Sequence, residues 1–456
     1  MAKKTTVQPE APSTGSRTIS SFMEKEYADS ALYQSFRAIA SYIDGFKPSA
    51  RKVLYAAKKL NLSSETIVGR FAMRAADETK YIHGAASLEW VIVGMAQDYV
   101  GANNLPLFTN DGAFGSRFTP SAAASRYIST KLHANARKLF MAEDDDILIQ
   151  QEFEGDIIEP RFFLPVLPVL LVNGSEGVGN GFAQKILPRN PDDLKKAIVA
   201  VLNGKKAKCP APWYKGFTGS IVAGDGDGSW EIWGRFDRVG RGTLRIVELP
   251  VGYTLSGYRE KLEDLVEKKI IKSYDDLSDN DVFLFDVKVS LEFMELEDEK
   301  IAEKLGLIRR VTENYTCEDE NNTIRVFESP HQLLQAYVDV RLKAYGERKK
   351  SLLKRYDQER SIAEERARFI RQVINGSVKL GNVPTAKVIE RLEKDERPFL
   401  KVDDSYDYLL NMPMRSLTKE RADELDERAQ AARLKVNELK GKTEVNLWTE
   451  DLESLK

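Results

Sequence analysis

An arginine and a tyrosine lie side by side, as Arg126 and Tyr127, within a run of small residues. The stretch from Gly112 to Ala142 contains five basic residues and no acidic one. A phenol oxygen can attack phosphorus and displace a sugar oxygen, and a guanidinium can neutralise the charge that builds on the phosphoryl oxygens. The pair therefore indicates chemistry on a phosphodiester, although a bare Arg-Tyr pair is also compatible with a surface tyrosine on a basic helix.

The charge distribution places this pair in a basic region. Between Arg37 and Lys138 there are fourteen basic residues against seven acidic ones, whereas residues 139–160 contain eight acids and no base. The net charge of the whole chain is only −2. Such an asymmetry is typical of a nucleic-acid-facing surface that is backed by an acidic, solvated segment.

The elements that must position these residues change in character along the chain. Residues 20–140 alternate helical patterns with short turns, including a helix expected over residues 81–99 that Gly101 and Pro106 end. Residues 150–328 show short β-rich runs with glycines between them, and the Asp-Gly-Asp-Gly sequence at 225–228 predicts a turn.

The last part of the chain predicts two long helices. Apolar residues recur at steps of four and three from Val338 to Val373, and a returning pattern runs from Ala422 to Leu439. About 45 residues separate the two patterns. We expect an antiparallel coiled-coil arm with a small globular tip, with a generic helical bundle as the alternative.

Length and composition exclude several classes of protein. A chain of 456 residues suggests about three domains. Two cysteines cannot build a disulfide framework or a zinc site, so a reducing cytoplasm is expected. The longest apolar stretch, residues 162–172, is short and broken by two prolines, which predicts no transmembrane helix. Residues 1–18 are polar and are expected to form a disordered tail rather than a signal peptide.

Several motifs occur in a defined order. They are Asp-Gly-Phe-Lys-Pro-Ser-Ala-Arg-Lys-Val-Leu-Tyr at 44–55, Tyr-Ile-His-Gly at 81–84, Gly-Ala-Phe-Gly-Ser-Arg at 112–117 with Ser-Ala-Ala-Ala-Ser-Arg-Tyr at 121–127, Pro-Val-Leu-Leu-Val-Asn-Gly-Ser-Glu-Gly-Val-Gly-Asn-Gly at 168–181, Pro-Trp-Tyr-Lys-Gly-Phe at 212–217, and Leu-Leu-Asn-Met-Pro-Met-Arg-Ser-Leu-Thr-Lys-Glu at 409–420. Together they resemble the breakage-reunion subunit of type IIA DNA topoisomerases, such as the A subunits of DNA gyrase and topoisomerase IV. The resemblance spans roughly residues 20–455. Size and layout are most similar to the medium subunit of phage T4-like topoisomerases.

The resemblance implies an α+β multidomain fold. After the tail at 1–18, it implies a winged-helix DNA-binding domain with the active-site tyrosine at 19–149 and an α/β tower domain at 150–328. A long antiparallel coiled-coil arm would follow at 329–456. Its small helical tip, called the C-gate, would carry the contact of a homodimer.

The resemblance also implies roles for single residues. Tyr127 would be the nucleophile that forms a 5′-phosphotyrosine, Arg126 would stabilise the transition state, and His83 would help to hold the scissile phosphate. Double-stranded DNA would be bound through phosphates and through an apolar side chain inserted between base pairs. The DNA-binding residues would be Arg37, Lys47, Arg51, Lys52 and, as the inserted side chain, Val178. The family usually has isoleucine at the last position. Whether a base or a metal-bound water activates the tyrosine stays open.

Two features of the family have no counterpart in the sequence. It has no Gly-x-x-x-x-Gly-Lys-(Ser/Thr) loop, and no Glu followed later by Asp-x-Asp in the Toprim context that binds the catalytic magnesium. The acids at 143–146 are expected to be solvated rather than metal-ligating. Mg²⁺ and ATP are therefore expected to be supplied and bound by a partner ATPase/Toprim subunit, of one polypeptide or two. No segment for gyrase-type wrapping follows the second long helix, so relaxation and decatenation are expected.

Two alternative functions remain at this point. A tyrosine recombinase-like strand transferase would carry its tyrosine near the C-terminus, whereas Tyr127 lies early. A cleavage-deficient structural DNA-bridging protein would not need Arg126, Tyr127 and His83 together. Ala86 and Trp90 stand where the bacterial enzymes have the serine and the acidic residue that anchor quinolones, which predicts a weak quinolone response.

Overall fold

A computed structural model describes residues 18–455 of the chain. The disordered tail expected at 1–18 therefore lies outside the described residues, except for Thr18, whose hydroxyl caps the first helix. The fold is a mixture of helices and antiparallel sheets. No helix between Thr18 and Leu455 combines the length and the apolar character that crossing a membrane requires. Both cysteines, Cys209 and Cys317, are buried and free.

The N-terminal third is mainly helical. Its helices and strands are α1 (Ile19–Phe22), α2 (Ala28–Ala38), α3 (Pro48–Lys59), β1 (Thr66–Ile67), α4 (Val68–Glu78), α5 (Ala85–Ala96), β2 (Ser129–Thr130) and α6 (Ala134–Leu139), with a π-helical segment at Met23–Tyr27 and a 3-10 helix at Ala142–Ile147. β1 and β2 pair antiparallel. The helix expected over 81–99 is shorter at both ends. Gly84, at φ +83°, turns the chain just before its first residue, and Gln97, which has extended backbone angles, ends it after Ala96.

The middle of the chain is rich in strands, as the sequence pattern predicts. It contains β3 (Gln151–Phe153), β4 (Asp156–Ile158), α7 (Val169–Asn173), β5 (Ser175–Val178), β6 (Ala183–Ile186), α8 (Pro191–Leu202), β7 (Ser220–Ala223), β8 (Ser229–Trp233), β9 (Arg235–Gly240), β10 (Thr243–Glu248), α9 (Leu255–Glu267), β11 (Ser273–Asp276), β12 (Phe285–Lys288), α10 (Leu291–Met294), α11 (Asp298–Leu305), β13 (Ile308–Thr312), β14 (Thr316–Glu318) and β15 (Ile324–Val326). The turn expected at 225–228 joins β7 to β8.

Two antiparallel sheets organise this part. The larger has the strand order β11-β12-β10-β9, and the smaller has the order β13-β8-β7. Alternating residues of β10 face the core, so that Leu244 and Ile246 are buried against α9 residues such as Tyr258 and Leu262. This is the pattern of a sheet with one face covered by helices.

The C-terminal part contains the two long helices. Its elements are α12 (Pro330–Ile374), α13 (Thr385–Glu393), α14 (Asp407–Leu410), a 3-10 helix at Met414–Ser416, α15 (Lys419–Gly441) and α16 (Glu444–Ser454). α12 and α15 run antiparallel, since Arg371 pairs with Asp426 while Lys349 reaches the carbonyl of Lys442. The six buried residues of α15 are the six positions of the returning apolar pattern, Ala422, Leu425, Ala429, Ala432, Val436 and Leu439.

Both ends of this helix pair are fixed by packing. At the far end, Phe369 forms a small core with residues of α13 and α14, including Val388 and Leu409. At the near end, Trp448 of α16 is buried, stacks on Tyr345 at 5.4 Å and donates to the carbonyl of Val166 at 3.0 Å. The main core, which also contains α3, α4, α5, α7 and α8, therefore holds the base of the pair.

Candidate active site

Tyr127 lies at the end of a tight turn that is fixed to the first residues of α4. Its amide donates to the carbonyl of Ala124 at 2.9 Å, and the amide of Val68 donates to the carbonyl of Ile128 at 3.0 Å. Ile128 is buried, whereas Tyr127 is 71% exposed. The guanidinium carbon of Arg126 lies 4.6 Å from the centre of the Tyr127 ring. The buried neighbour anchors the turn, so the phenol is presented to solvent beside a cation.

A carboxylate lies next to the same turn. Gly69 on α4 separates them: a Cβ added there would lie 3.1 Å from Oγ of Ser125 and 3.4 Å from Oε1 of Glu89. Glu89 belongs to α5, and its role beside the turn could not be inferred from the motifs. The available signal was that it is the one acidic residue between Thr79 and Gln97.

His83 and Arg37 are brought together by a tyrosine that the motifs did not single out. His83 lies in the turn that precedes α5, and its Nε2 is 3.2 Å from the hydroxyl of Tyr33 on α2. The guanidinium carbon of Arg37, one helical turn further along α2, lies 5.7 Å from the centre of the Tyr33 ring. Tyr33 and Arg37 are four residues apart, which places both on one face of a helix. This spacing was the signal in the sequence that could have identified Tyr33.

The hairpin β5–β6 packs against α2 and presents Val178 to solvent. Val178 is 79% exposed. Gly177 lies so close to α2 that an added Cβ would be 1.9 Å from the carbonyl oxygen of Ala38. Asn180 Nδ2 also donates to Oε1 of Gln34 at 3.0 Å. α2 therefore carries Arg37, supports His83 and seats the Val178 hairpin.

Comparison with known proteins identifies the family of the chain. The family model for the A subunits of DNA gyrase and topoisomerase IV matches residues 37–453. The chain belongs to this family. It is 34% identical over 451 residues to mitochondrial DNA topoisomerase 2 of Dictyostelium discoideum, which covers 96% of this chain and 35% of that protein. DNA topoisomerase 2 of Saccharomyces cerevisiae is 31% identical over 494 residues, with coverage of 96% and 34%.

A solved structure gives the same result for the fold. The DNA-binding, cleavage and re-ligation domain of Plasmodium falciparum topoisomerase II superposes with a TM-score of 0.87 at 32% identity, covering 95% of this chain and 63% of that one. This family member thus shares its mixed α/β fold with the topoisomerase II cleavage domain. The chain spans about a third of the length of the curated relatives it matches.

Two basic residues that were expected on DNA are used inside this topoisomerase fold instead. Arg51 is 4% exposed, and its Nε pairs with Asp44 at 2.8 Å. Lys52 Nζ pairs with Glu159 at 2.7 Å and donates to the carbonyl of Thr79 at 3.0 Å. Their charges are neutralised below the surface, so we correct the expected phosphate contacts of these two residues to a structural role.

Lys47 has a related position at the base of the hairpin. Its amino group donates to the carbonyl of Glu176 at 2.8 Å, and burial lowers the pKa of Lys47. The contact joins the start of α3 to the strand that carries Val178. Lys47 therefore supports the hairpin, and its contact with a phosphate stays a prediction.

Exposed basic residues occur instead on the outer face of α4. Arg70 and Arg74 are both exposed, and neither has an ion pair within residues 18–455. Arg70 follows directly after Gly69, which lies against the Tyr127 turn, and Arg74 lies one helical turn further along α4. The motifs did not single them out, although their i, i+4 spacing would place them on one helix face.

The acidic run at 143–146 differs from the expectation of a solvated segment. Asp144 is buried and pairs with Arg341 of α12 at 2.8 Å. Asp145 pairs with Lys58 of α3 at 2.6 Å. The expectation was wrong for Asp144 because this run supplies the counter-ions that join α3 and α12.

Magnesium, which the family implies, finds no fitting group of ligands among the described residues. Between Thr18 and Leu455 there is no cluster of three or more His, Cys, Asp or Glu side chains that could hold a metal ion. Asp144, Asp145 and Asp146 are each engaged with a basic partner. We therefore derive no step of the chemistry through a metal held by this chain.

Proposed function

We propose that this chain is the DNA cleavage-religation part of an ATP-dependent type IIA DNA topoisomerase. It would make a transient double-strand break, let a second duplex pass, and so relax and decatenate DNA. The observation that carries the proposal is the exposed phenol of Tyr127 beside the Arg126 guanidinium, on a turn anchored to α4. Membership in the family supports it.

The proposed reaction exchanges one phosphate ester for another. The Tyr127 oxygen forms a bond to phosphorus while the bond from phosphorus to the 3′ oxygen of the neighbouring sugar breaks. The phenolic proton ends on the departing 3′ hydroxyl, and the 5′ phosphate stays on the tyrosine. Because the ester is conserved, religation is the reverse step and needs no external energy. Arg126 would neutralise the phosphoryl oxygens, and loss of such a donor costs on the order of 10²–10³ in rate.

DNA would lie across α2, α4 and the β5–β6 hairpin. Phosphate contacts give a salt-dependent and sequence-tolerant affinity. The exposed side chains that we propose for these contacts are those of Arg37, His83, Arg70 and Arg74. Val178 would enter a base-pair step from the tip of its hairpin, because apolar side chains unstack and bend DNA in this way.

The assembly around the chain is part of the same proposal. We propose that residues 19–149 form a winged-helix domain, 150–328 a tower domain, and 329–456 a coiled-coil arm whose C-gate tip forms a homodimer. Mg²⁺ and ATP would be bound by a partner ATPase/Toprim subunit. The two free, buried cysteines suit a reducing compartment such as the cytoplasm.

The direct test is the covalent intermediate. The chain, an ATPase/Toprim partner and Mg²⁺ are mixed with end-labelled duplex DNA and denatured, and protein-linked fragments are counted for wild type, Tyr127→Phe and Tyr27→Phe. Tyr27 is an exposed tyrosine near the N-terminal end of the described residues and serves as the matched control. We expect a 5′ adduct that disappears only in Tyr127→Phe.

Two results would contradict the assignment. An adduct that survives in Tyr127→Phe would move the nucleophile to another residue. DNA binding without an adduct in any of the three proteins would favour a structural DNA-bridging function.

A further inference from the structure

Tyr33 connects two of the residues that the proposed function places on DNA. Its hydroxyl lies 3.2 Å from Nε2 of His83, which is fifty residues away in sequence, and its ring lies 5.7 Å from the guanidinium carbon of Arg37. Tyr33 is 53% exposed. An exposed ring gains little from burial, so these contacts rather than core packing define what Tyr33 does in the fold.

The turn that carries His83 has few other restraints. Gly84 has φ +83° with no atom within 4 Å of an added Cβ, and Ile82 is exposed. The edge of the His83 ring meets Tyr81, with ring centres 5.4 Å apart. The direction of the imidazole is therefore set by Tyr81 on one side and by the hydroxyl of Tyr33 on the other.

We propose that Tyr33 is a positioning residue that donates its hydroxyl proton to Nε2 of His83 and thereby keeps the imidazole proton on Nδ1. A neutral imidazole has one donor and one acceptor nitrogen, so a hydroxyl that donates to Nε2 leaves the ring proton on Nδ1. Nδ1–H is then the group that His83 offers to a phosphate oxygen. The role on DNA rests on the proposed function, whereas the tautomer does not.

The other two histidines of the chain provide an internal contrast. Nδ1 of His133 accepts from the amide of Asn135 at 3.1 Å, and Nδ1 of His331 accepts from the amide of Cys209 at 2.9 Å. A backbone amide can only donate, so both rings must carry the proton on Nε2 when neutral. His83 is expected to show the opposite tautomer.

The tautomers can be read directly by NMR. The full chain is labelled with ¹⁵N-histidine, and ring nitrogen spectra are recorded at about pH 8, where a free imidazole is neutral. With three histidines in the chain, His83 is assigned by its loss in His83→Gln. We expect Nδ1–H for His83, Nε2–H for the other two, and a change toward a mixture of tautomers for His83 alone in Tyr33→Phe. An Nε2–H signal for His83 in the wild type, or an unchanged spectrum in Tyr33→Phe, would overturn the proposal.

Cleavage supplies the second readout. In the adduct assay we expect Tyr33→Phe to form about five-fold less adduct than wild type, the effect of one hydrogen bond, while Tyr27→Phe stays unchanged. If Tyr33→Phe formed as much adduct as the wild type, the positioning role would be refuted even if the tautomer is as expected. If no adduct depends on Tyr127, the proposed function fails, and the ring nitrogens still decide whether Tyr33 fixes His83.

Discussion

Replacing Gly177 by alanine tests whether the β5–β6 hairpin must lie directly against α2. The added Cβ would be 1.9 Å from the carbonyl oxygen of Ala38, whereas real Cβ contacts essentially never fall below 3.0 Å. The obstacle is a backbone atom of the last turn of α2, which cannot rotate away as a side chain would. The hairpin must therefore move by about 1 Å, and such overpacking costs about 1–3 kcal/mol of the free energy of unfolding.

The same displacement would move Val178, the next residue along the strand. A misplacement of about 1 Å at a positioning group can cost on the order of 10²-fold in rate. We therefore expect Gly177→Ala to lower adduct formation by up to about 10²-fold while the chain remains folded. Urea unfolding measures the stability loss, and the adduct assay with the reconstituted enzyme measures the loss of cleavage.

Gly181→Ala is the matched control in the same hairpin. Gly181 has φ +78° but no atom within 4 Å of an added Cβ, so its replacement meets backbone strain of about 1 kcal/mol and no clash. If Gly177→Ala were as stable as wild type and cleaved as well, the close seating of the hairpin on α2 would be irrelevant to the site. Equal losses in both variants would mean that any change in this loop impairs it.

Four further predictions have defined outcomes. Arg70→Ala should reduce the slope of log K against log salt for duplex DNA by about 0.9, in anisotropy titrations, because one phosphate contact is lost. Arg341→Met should lower the free energy of unfolding in urea by about 3–5 kcal/mol, since it leaves the buried Asp144 unpaired. Burial raises the pKa of Glu159, so just above pH 4.5 the folded chain retains a proton that the unfolded chain releases. The free energy of unfolding should therefore fall as pH rises from 4.5 through the raised pKa, and it should fall less steeply in Glu159→Gln. Trp90 is exposed at the position where the bacterial enzymes have the acid that anchors quinolones. Quinolones should therefore stimulate cleavage by this protein only weakly.

Each of these outcomes can be contradicted. Arg355→Met removes an exposed pair with Asp146 and should cost less than about 1 kcal/mol, so a loss equal to that of Arg341→Met would refute the argument from burial. Lys59 already pairs with Glu78, and Lys59→Ala should leave the salt slope unchanged. If the free energy of unfolding of Glu159→Gln changed with pH in the same way as that of the wild type, the prediction for Glu159 would be wrong. Strong stimulation of cleavage by a quinolone at low micromolar concentration would contradict the prediction of a weak quinolone response.

Local pattern alone determined several parts of this protein. The apolar spacing predicted both long helices and the six buried residues of α15, because a helix buries one face and that face recurs every three or four residues. The glycines at 226 and 228 determined the turn between β7 and β8 through their positive φ angles. The order of motifs around Arg126 and Tyr127 determined the family, since it depends on residue types and not on contacts.

The fate of the charged residues was decided only by the tertiary structure. Arg37 and Arg51 look alike in the sequence, yet Arg37 is exposed on α2 while Arg51 is buried with Asp44 and Glu318. Its partner Glu318 lies on a strand 267 residues further along the chain. Tyr33 and His83, which are in contact, are likewise fifty residues apart in sequence. Such pairs form because packing brings distant elements together, and burial then makes an unpaired charge too costly to keep. A local pattern shows that a side chain carries a charge, but the partner that neutralises or orients it is known only when the chain has folded.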